Sequence, residues 1–473
     1  MSATTHPVES KVQITGGAWA SAWKLAAAAG ALGLVGAGAG YASDPKRFAF
    51  SYLFAISVFL TLGLGMLFFV VIQHIAAAHW SVTIRRTAEF FVGGLPVLVL
   101  LFLPLFAVMQ HFPQWEHYWG SSHGATHGAT HGGSHDAHPA PEHGATAGAH
   151  GEHAAPAAGA HGAHGTPPAA GHDQGAGGAR ELAGLAHMHH RTLEAKKAWF
   201  GSTFFFGRQA FYLLVWVLLA RRFFKLSTEQ DKSKDKRLTV VLARSAPASL
   251  TLLSLTMTFA AFDWLMALDP AWFSTIFGVW IFAGSLVAAL GTLIVVTLGL
   301  RRSGYLDGRV TTEHYHDLAK LLFGFNCFWA YIAFSQFFLI WYASIPEETT
   351  FYHTRWNGNP GWQTLSIAIM AFHFVVPFIL LMSRNVKRRL GAMATGTVML
   401  LVMHAAEMYW LVLPNFKPAD GHALTSLPIH WMDLACLVGV GGAYLAMVFK
   451  LMTQHALIPV GDPRLERGTQ HTV

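Results

Sequence analysis

Residues 48–73 read Phe48-Ala-Phe-Ser-Tyr-Leu-Phe-Ala-Ile-Ser-Val-Phe-Leu-Thr-Leu-Gly-Leu-Gly-Met-Leu-Phe-Phe-Val-Val-Ile-Gln73. No charged residue interrupts the run. A helix rises about 1.5 Å per residue, so about 20 such residues cross the roughly 30 Å apolar core of a bilayer. Nine further runs have the same character, giving spans at 19–40, 48–73, 90–112, 199–220, 239–266, 272–299, 314–343, 362–383, 391–413 and 431–452. Within a bilayer the backbone must satisfy its own hydrogen bonds, so the spans are helices. The expected fold is an all-α polytopic membrane protein of about ten transmembrane helices, with short connections that favour antiparallel neighbours.

Composition agrees. The 473 residues are 53% hydrophobic and only 12% charged, too few charges to cover the surface of a soluble multidomain enzyme. An aromatic content of 13% excludes disorder for most of the chain. The two cysteines, Cys327 and Cys436, lie in apolar runs and read as small packing residues. Without Cys-x-x-Cys or Cys-x-x-Cys-His, the chain supplies no cysteine-ligated iron–sulfur cluster and no c-type haem attachment. No covalently bound cofactor is expected.

One segment breaks the apolar pattern. Residues 113–198 contain 15 of the 28 histidines among Gly, Ala and Pro, with near-repeats such as His123-Gly-Ala-Thr-His127-Gly-Ala-Thr130. With almost no large apolar residues between Gly120 and Arg180, this stretch reads as a disordered loop, and residues 182–197 as a short helix ahead of the fourth span. The resulting organisation is an N-terminal segment 1–18, three spans over 19–112, the His-rich loop 113–198, seven spans over 199–455 and a tail 456–473. Lys and Arg are divided twenty to eight between the two sets of loops, the larger share lying on the side of the termini. The positive-inside rule then places both termini in the cytoplasm and the His-rich loop in the periplasm. The net charge of +7 is absorbed by this asymmetry, and no nucleic-acid partner is implied.

Ionisable residues inside spans are costly, so each is a candidate for function. The candidates are Arg208, Asp263, Lys320 and Glu407, with Asp317 and Asp433 near span ends and the titratable His74, His373 and His404. By the alternation of spans, Arg208, Asp263, His404, Glu407 and Asp433 belong to the periplasmic half, His373 to the middle, and His74, Asp317 and Lys320 to the cytoplasmic half. His404 and Glu407 stand at i and i+3 on one helix face, where a carboxylate beside an imidazole can accept a proton and hand it on. Asp263 can pair with Arg208 across the bundle. Asp317 and Lys320 form a second i, i+3 pair, either the mouth of a proton path or a solvated intrahelical salt bridge. Imidazoles in the flexible loop bind metals weakly and unselectively, and no fixed metal site is expected.

Three strings carry a resemblance: Asp317-Leu-Ala-Lys-Leu-Leu-Phe-Gly-Phe-Asn-Cys-Phe-Trp-Ala-Tyr-Ile-Ala-Phe-Ser-Gln-Phe-Phe-Leu-Ile-Trp-Tyr-Ala-Ser-Ile-Pro-Glu-Glu-Thr349, Phe262-Asp-Trp-Leu-Met-Ala-Leu-Asp-Pro-Ala-Trp-Phe-Ser-Thr-Ile-Phe-Gly278, and Glu407-Met-Tyr-Trp-Leu-Val-Leu-Pro414. Over residues 45–112 and 199–455 the chain resembles the F subunit of bacterial alternative complex III. That complex is a quinol:electron-acceptor oxidoreductase with two integral subunits of the polysulfide-reductase membrane-anchor type. The resemblance implies two four-helix bundles, an inner-membrane location, a sister quinol-binding membrane subunit, and haem c and iron–sulfur clusters carried on partner subunits. It implies a quinone or menaquinone site, or a path for protons, in this chain. Asp263, His404 and Glu407 match the family strings in the outer half, and Asp317 and Lys320 in the inner half; Arg208, His373 and His74 rest on depth alone. Two other readings stand beside it. One is a divalent metal transporter with a His-rich loop, although the intramembrane histidines are scattered in sequence. The other is a structural anchor without chemistry.

Overall fold

The computed structural model describes residues 12–119, 190–356, 360–418 and 426–471. Among these residues there is no strand, and ten helices are long and apolar enough to cross a membrane. They are α1 (Gly17–Ser43), α2 (Pro45–Ile75), α3 (Val82–His111), α4 (Ser202–Ser233), α5 (Arg237–Leu268), α6 (Phe277–Arg302), α7 (Thr312–Ala343), α8 (Pro360–Met382), α9 (Leu390–Asn415) and α10 (Trp431–Gln454). The chain is a multi-pass membrane protein.

Helix α2, the stretch that opened the sequence reading, is the hub. It starts cleanly because the Asp44 carboxylate accepts the Arg47 amide at 2.9 Å and Pro45 occupies the first turn. It then runs almost wholly buried. Helices α2–α5 close one four-helix ring, and α6–α9 close a second. The rings join where α6 lies against α2 and α5, and where α9 meets α2. Each helix of a ring contacts its sequence neighbour, as short connections require. The C-terminal stretch after α10 folds back beneath the bundle: the Leu457 amide donates to the Val12 carbonyl, and the Tyr305 hydroxyl donates to that of Gly16. The face that gathers these ends is the terminal face, and the other is the opposite face.

Helix α1 lies outside both rings and docks along α10. Its richness in Ala and Gly is its docking surface. A Cβ on Gly33 would sit 2.3 Å from the Gly439 nitrogen, and one on Gly30 would sit 2.5 Å from that of Ala443. In a bilayer, helix association depends on such close backbone approach rather than on the hydrophobic effect.

Helices α3 and α4 differ most from the expected boundaries. Helix α3 begins at Val82 rather than near residue 90, because Arg85 and Arg86 pair with Glu89, Asp462 and Asp231 and so enter the buried core. Helix α4 continues past residue 220 to Ser233, so Arg221, Arg222, Lys225 and Lys232 stand on a helix and not in a loop. Within α8, residues Met370–Val375 form a π-helical turn. The disordered His-rich loop is expected over 113–198, but Pro113–Trp119 is helical, and helix also covers residues 190–196, inside the 182–197 expected ahead of the fourth span; residues 120–189 lie outside the described residues.

Gly33→Val should separate α1 from α10, whereas Gly38→Val, where an added Cβ meets nothing within 4 Å, should be neutral. Limited proteolysis of α1 and the thermal unfolding midpoint in detergent distinguish the two. Equal stability of both variants would show that the glycine contact is not what holds α1.

Candidate functional site

Near the opposite face each ring carries one buried carboxylate on its fourth helix, Asp263 on α5 and Glu407 on α9. Their surroundings differ in kind.

Asp263 is fully paired. Its Oδ1 accepts Trp199 Nε1 and an Arg208 guanidinium N–H, both at 2.8 Å. Its Oδ2 accepts Arg208 Nε at 2.9 Å and Gln209 Nε2 at 2.6 Å. The guanidinium stacks 3.9 Å over the Trp199 ring, and Gln209 accepts the Trp264 indole N–H. Four hydrogen bonds fill the carboxylate's acceptor positions. The Arg208–Asp263 pair expected from the sequence therefore forms, and its geometry is that of a packing lock between α4 and α5.

Glu407 has one oxygen held and one free. Oε1 accepts the indole N–H groups of Trp280 on α6 and Trp329 on α7, each at 2.7 Å. Oε2 is buried with no hydrogen-bond partner. It faces His404 Nδ1 at 3.6 Å and His373 Nε2 at 3.8 Å, beyond hydrogen-bond reach. The i, i+3 placement of His404 and Glu407 thus produces a real meeting of side chains, and the π-helical turn of α8 adds His373, which stacks on Trp329 at 3.8 Å. Such π-turns inside α-helices often mark functional positions. His404 Nε2 meets the Thr61 hydroxyl of α2 at 2.9 Å, tying the centre to the first ring. The histidines that looked scattered in sequence converge here, together with Glu407, from α8 and α9.

Beside this centre lies a cavity of about 510 Å³. Glu407, Trp280, Trp329, Tyr352 and Arg355 line its inner wall. Phe334 of α7 and Met370 of α8 also line it and are largely exposed, so the cavity reaches the outer flank of the protein between these helices. Arg355, from the short helix Pro346–Trp356, is buried and donates to the Trp410, Leu411 and Phe351 carbonyls. In the sequence Arg355 falls among the loop charges, and Trp280, Trp329 and Thr61 carry no signal that marks them.

At the terminal face the charges are structural. Arg85 joins Glu89 and Asp462, both at 2.8 Å, and Arg86 joins Asp231 at 2.5 Å, while Ser227 donates to Glu89. His74 is buried beside this network, and neither of its ring nitrogens has a hydrogen-bond partner. Burial pushes the Asp462 carboxyl up, but hydrogen bonds from Arg464 and the charge of Arg85 outweigh it and hold the group well below the usual carboxylate range. Its contribution to stability is present at neutral pH and fades only as pH falls through that lowered value. Asp317 pairs with Lys320 and with His471 of the tail, both at 2.5 Å. Lys320 is half exposed, so the solvated intrahelical salt bridge is what forms. Asp433 pairs with Arg47 at 2.6 Å and caps α10.

No protein-family profile matches the chain, and no curated protein matches it.

Breaking the buried Arg208–Asp263 pair by Arg208→Ala should destabilise by about 3–5 kcal/mol. Lys320→Ala, at a surface pair, should stay within about 1 kcal/mol. Denaturant unfolding in detergent measures both. Equal effects would mean that the Asp263 network is not a lock.

Proposed function

We propose that this chain is an integral subunit of a bacterial inner-membrane quinol:electron-acceptor oxidoreductase of the alternative complex III type, with both termini cytoplasmic. Quinol, with menaquinol the expected form, enters the cavity between α7 and α8 and meets Glu407. The observation that carries this reading is an apolar, aromatic cavity of about 510 Å³ that reaches the outer flank and has a single carboxylate at its inner wall. A hydrophobic chamber with few, well-placed polar groups suits an apolar ligand with one polar head. An entrance on the outer flank suits a substrate dissolved in lipid.

In this mechanism Trp280 and Trp329 hold Oε1, and Oε2, which has no hydrogen-bond partner, is the proton-accepting oxygen. Oxidation of the quinol releases two protons: Glu407 accepts the first and passes it to His404 or His373, and is then free to accept the second. His404 Nε2, on the Thr61 hydroxyl, points the relay toward α2. The two electrons leave to iron–sulfur clusters and haem c on partner subunits, beside a sister quinol-binding membrane subunit. Asp263 and Arg208 keep the first ring rigid, and Asp317, paired with Lys320 and His471, fastens the tail at the terminal face.

Positioned proton acceptors contribute about 10²–10⁴-fold in rate. Glu407→Gln should therefore lower quinol oxidation by at least about 10²-fold in the assembled complex, with proton release falling in step. Turnover at the wild-type rate by an assembled Glu407→Gln complex would overturn the assignment.

A further inference from the structure

We propose that His373, His404 and Glu407 form a three-ligand site for a divalent transition cation of the Zn²⁺ class. This deepens the reading of the same centre, because the cation and a proton would compete for Glu407 Oε2.

His373 Nε2, His404 Nδ1 and Glu407 Oε2 are buried without a hydrogen bond, in a region where an unpaired polar atom is costly. These atoms face one another: one donor atom from each residue lies within 4.8 Å of the others, and Oε2 lies 3.6 and 3.8 Å from the two imidazole nitrogens. Bonds of about 2.1 Å in tetrahedral array separate neighbouring donors by about 3.4 Å, so Oε2 is within a few tenths of an ångström of that spacing from each imidazole nitrogen, and the two imidazoles need close by no more than about 1.4 Å to share one ion.

The far side of Glu407 and of His404 is already held. Two indoles fix Oε1, and the Thr61 hydroxyl fixes Nε2 of His404. Such outer contacts orient metal ligands and set which atom faces the ion. His373 is oriented by its stack on Trp329. Two neutral imidazoles and one carboxylate suit Zn²⁺ better than the oxygen-seeking Ca²⁺ or Mg²⁺.

Space at the centre depends on Gly284 of α6. A Cβ there would stand 3.1 Å from Glu407 Oε2 and 3.6 Å from His404 Nδ1, beside the shared centre. Gly284→Ala therefore keeps all three ligands and fills the room between them.

The test uses the purified full-length protein without added quinone. It is stripped with chelator, loaded with Zn²⁺, chased through excess chelator and assayed for zinc per chain. Co²⁺ replaces Zn²⁺ in a parallel optical measurement. One slowly exchanging Zn²⁺ per chain is expected, with tetrahedral Co²⁺ bands, and retention should fall at least tenfold in His373→Gln, His404→Gln and Gly284→Ala. All variants carry the same His-rich segment, so equal retention in all of them overturns the proposal. Absence of tetrahedral Co²⁺ bands in the wild type overturns it independently of any variant's folding. Binding of a quinone analogue to zinc-stripped protein separates the two proposals: analogue bound with no zinc site leaves the quinol reading standing, and zinc retained with no analogue bound leaves only the metal site.

Discussion

An ionisable group in a medium of low dielectric must find its counterpart inside the protein, and this constraint organises the whole bundle. Arg208 and Asp263 tie α4 to α5; Arg47 and Asp433 tie α2 to α10. Arg85, Arg86 and Glu89 draw the start of α3 into the core and fasten Asp231 and the tail residue Asp462 to it. Each pair joins elements that the surrounding apolar packing alone would leave free to slide. In lipid, apolar side chains distinguish poorly between a neighbouring helix and an acyl chain.

Against this background Glu407 is the exception that matters. Asp263 has every acceptor position filled, while Glu407 keeps one oxygen bare and turned toward two imidazoles that are themselves short of partners. A saturated carboxylate is a fastener. A half-saturated one, fixed by two indoles and set beside a cavity, is poised to take a proton, a hydroxyl or a cation. The two rings thus carry carboxylates at corresponding places with different tasks, and the difference lies in the neighbours: a guanidinium beside one, indoles and imidazoles beside the other.

The site also depends on small departures from regular structure. The π-helical turn at Met370–Val375 places His373 within reach of Glu407, and the missing side chain at Gly284 leaves room between the ligands. At α1 the same economy serves assembly, since Gly30 and Gly33 meet Gly439 and Gly442 backbone to backbone.

Much of this was legible in the sequence. Apolar runs of sufficient length specify membrane helices whatever their partners, because the backbone has no other way to satisfy its hydrogen bonds in lipid. Ten such runs, the rarity of charge within them, the i, i+3 step from His404 to Glu407 and the pairing of Arg208 with Asp263 all follow from local pattern or from the cost of isolated charge. The early start of α3 was hidden, because its arginines look like loop charges until their distant carboxylates are seen. The convergence of His373 with His404 was equally hidden, because 31 residues and a π-helical turn separate them. Trp280 and Trp329 carry no role in the sequence, and theirs emerges only with Glu407 between them. Local chemistry determined which segments enter the membrane; only the packing of helices from both rings decided which buried groups meet and which are left without a partner, since that depends on contacts no single segment contains.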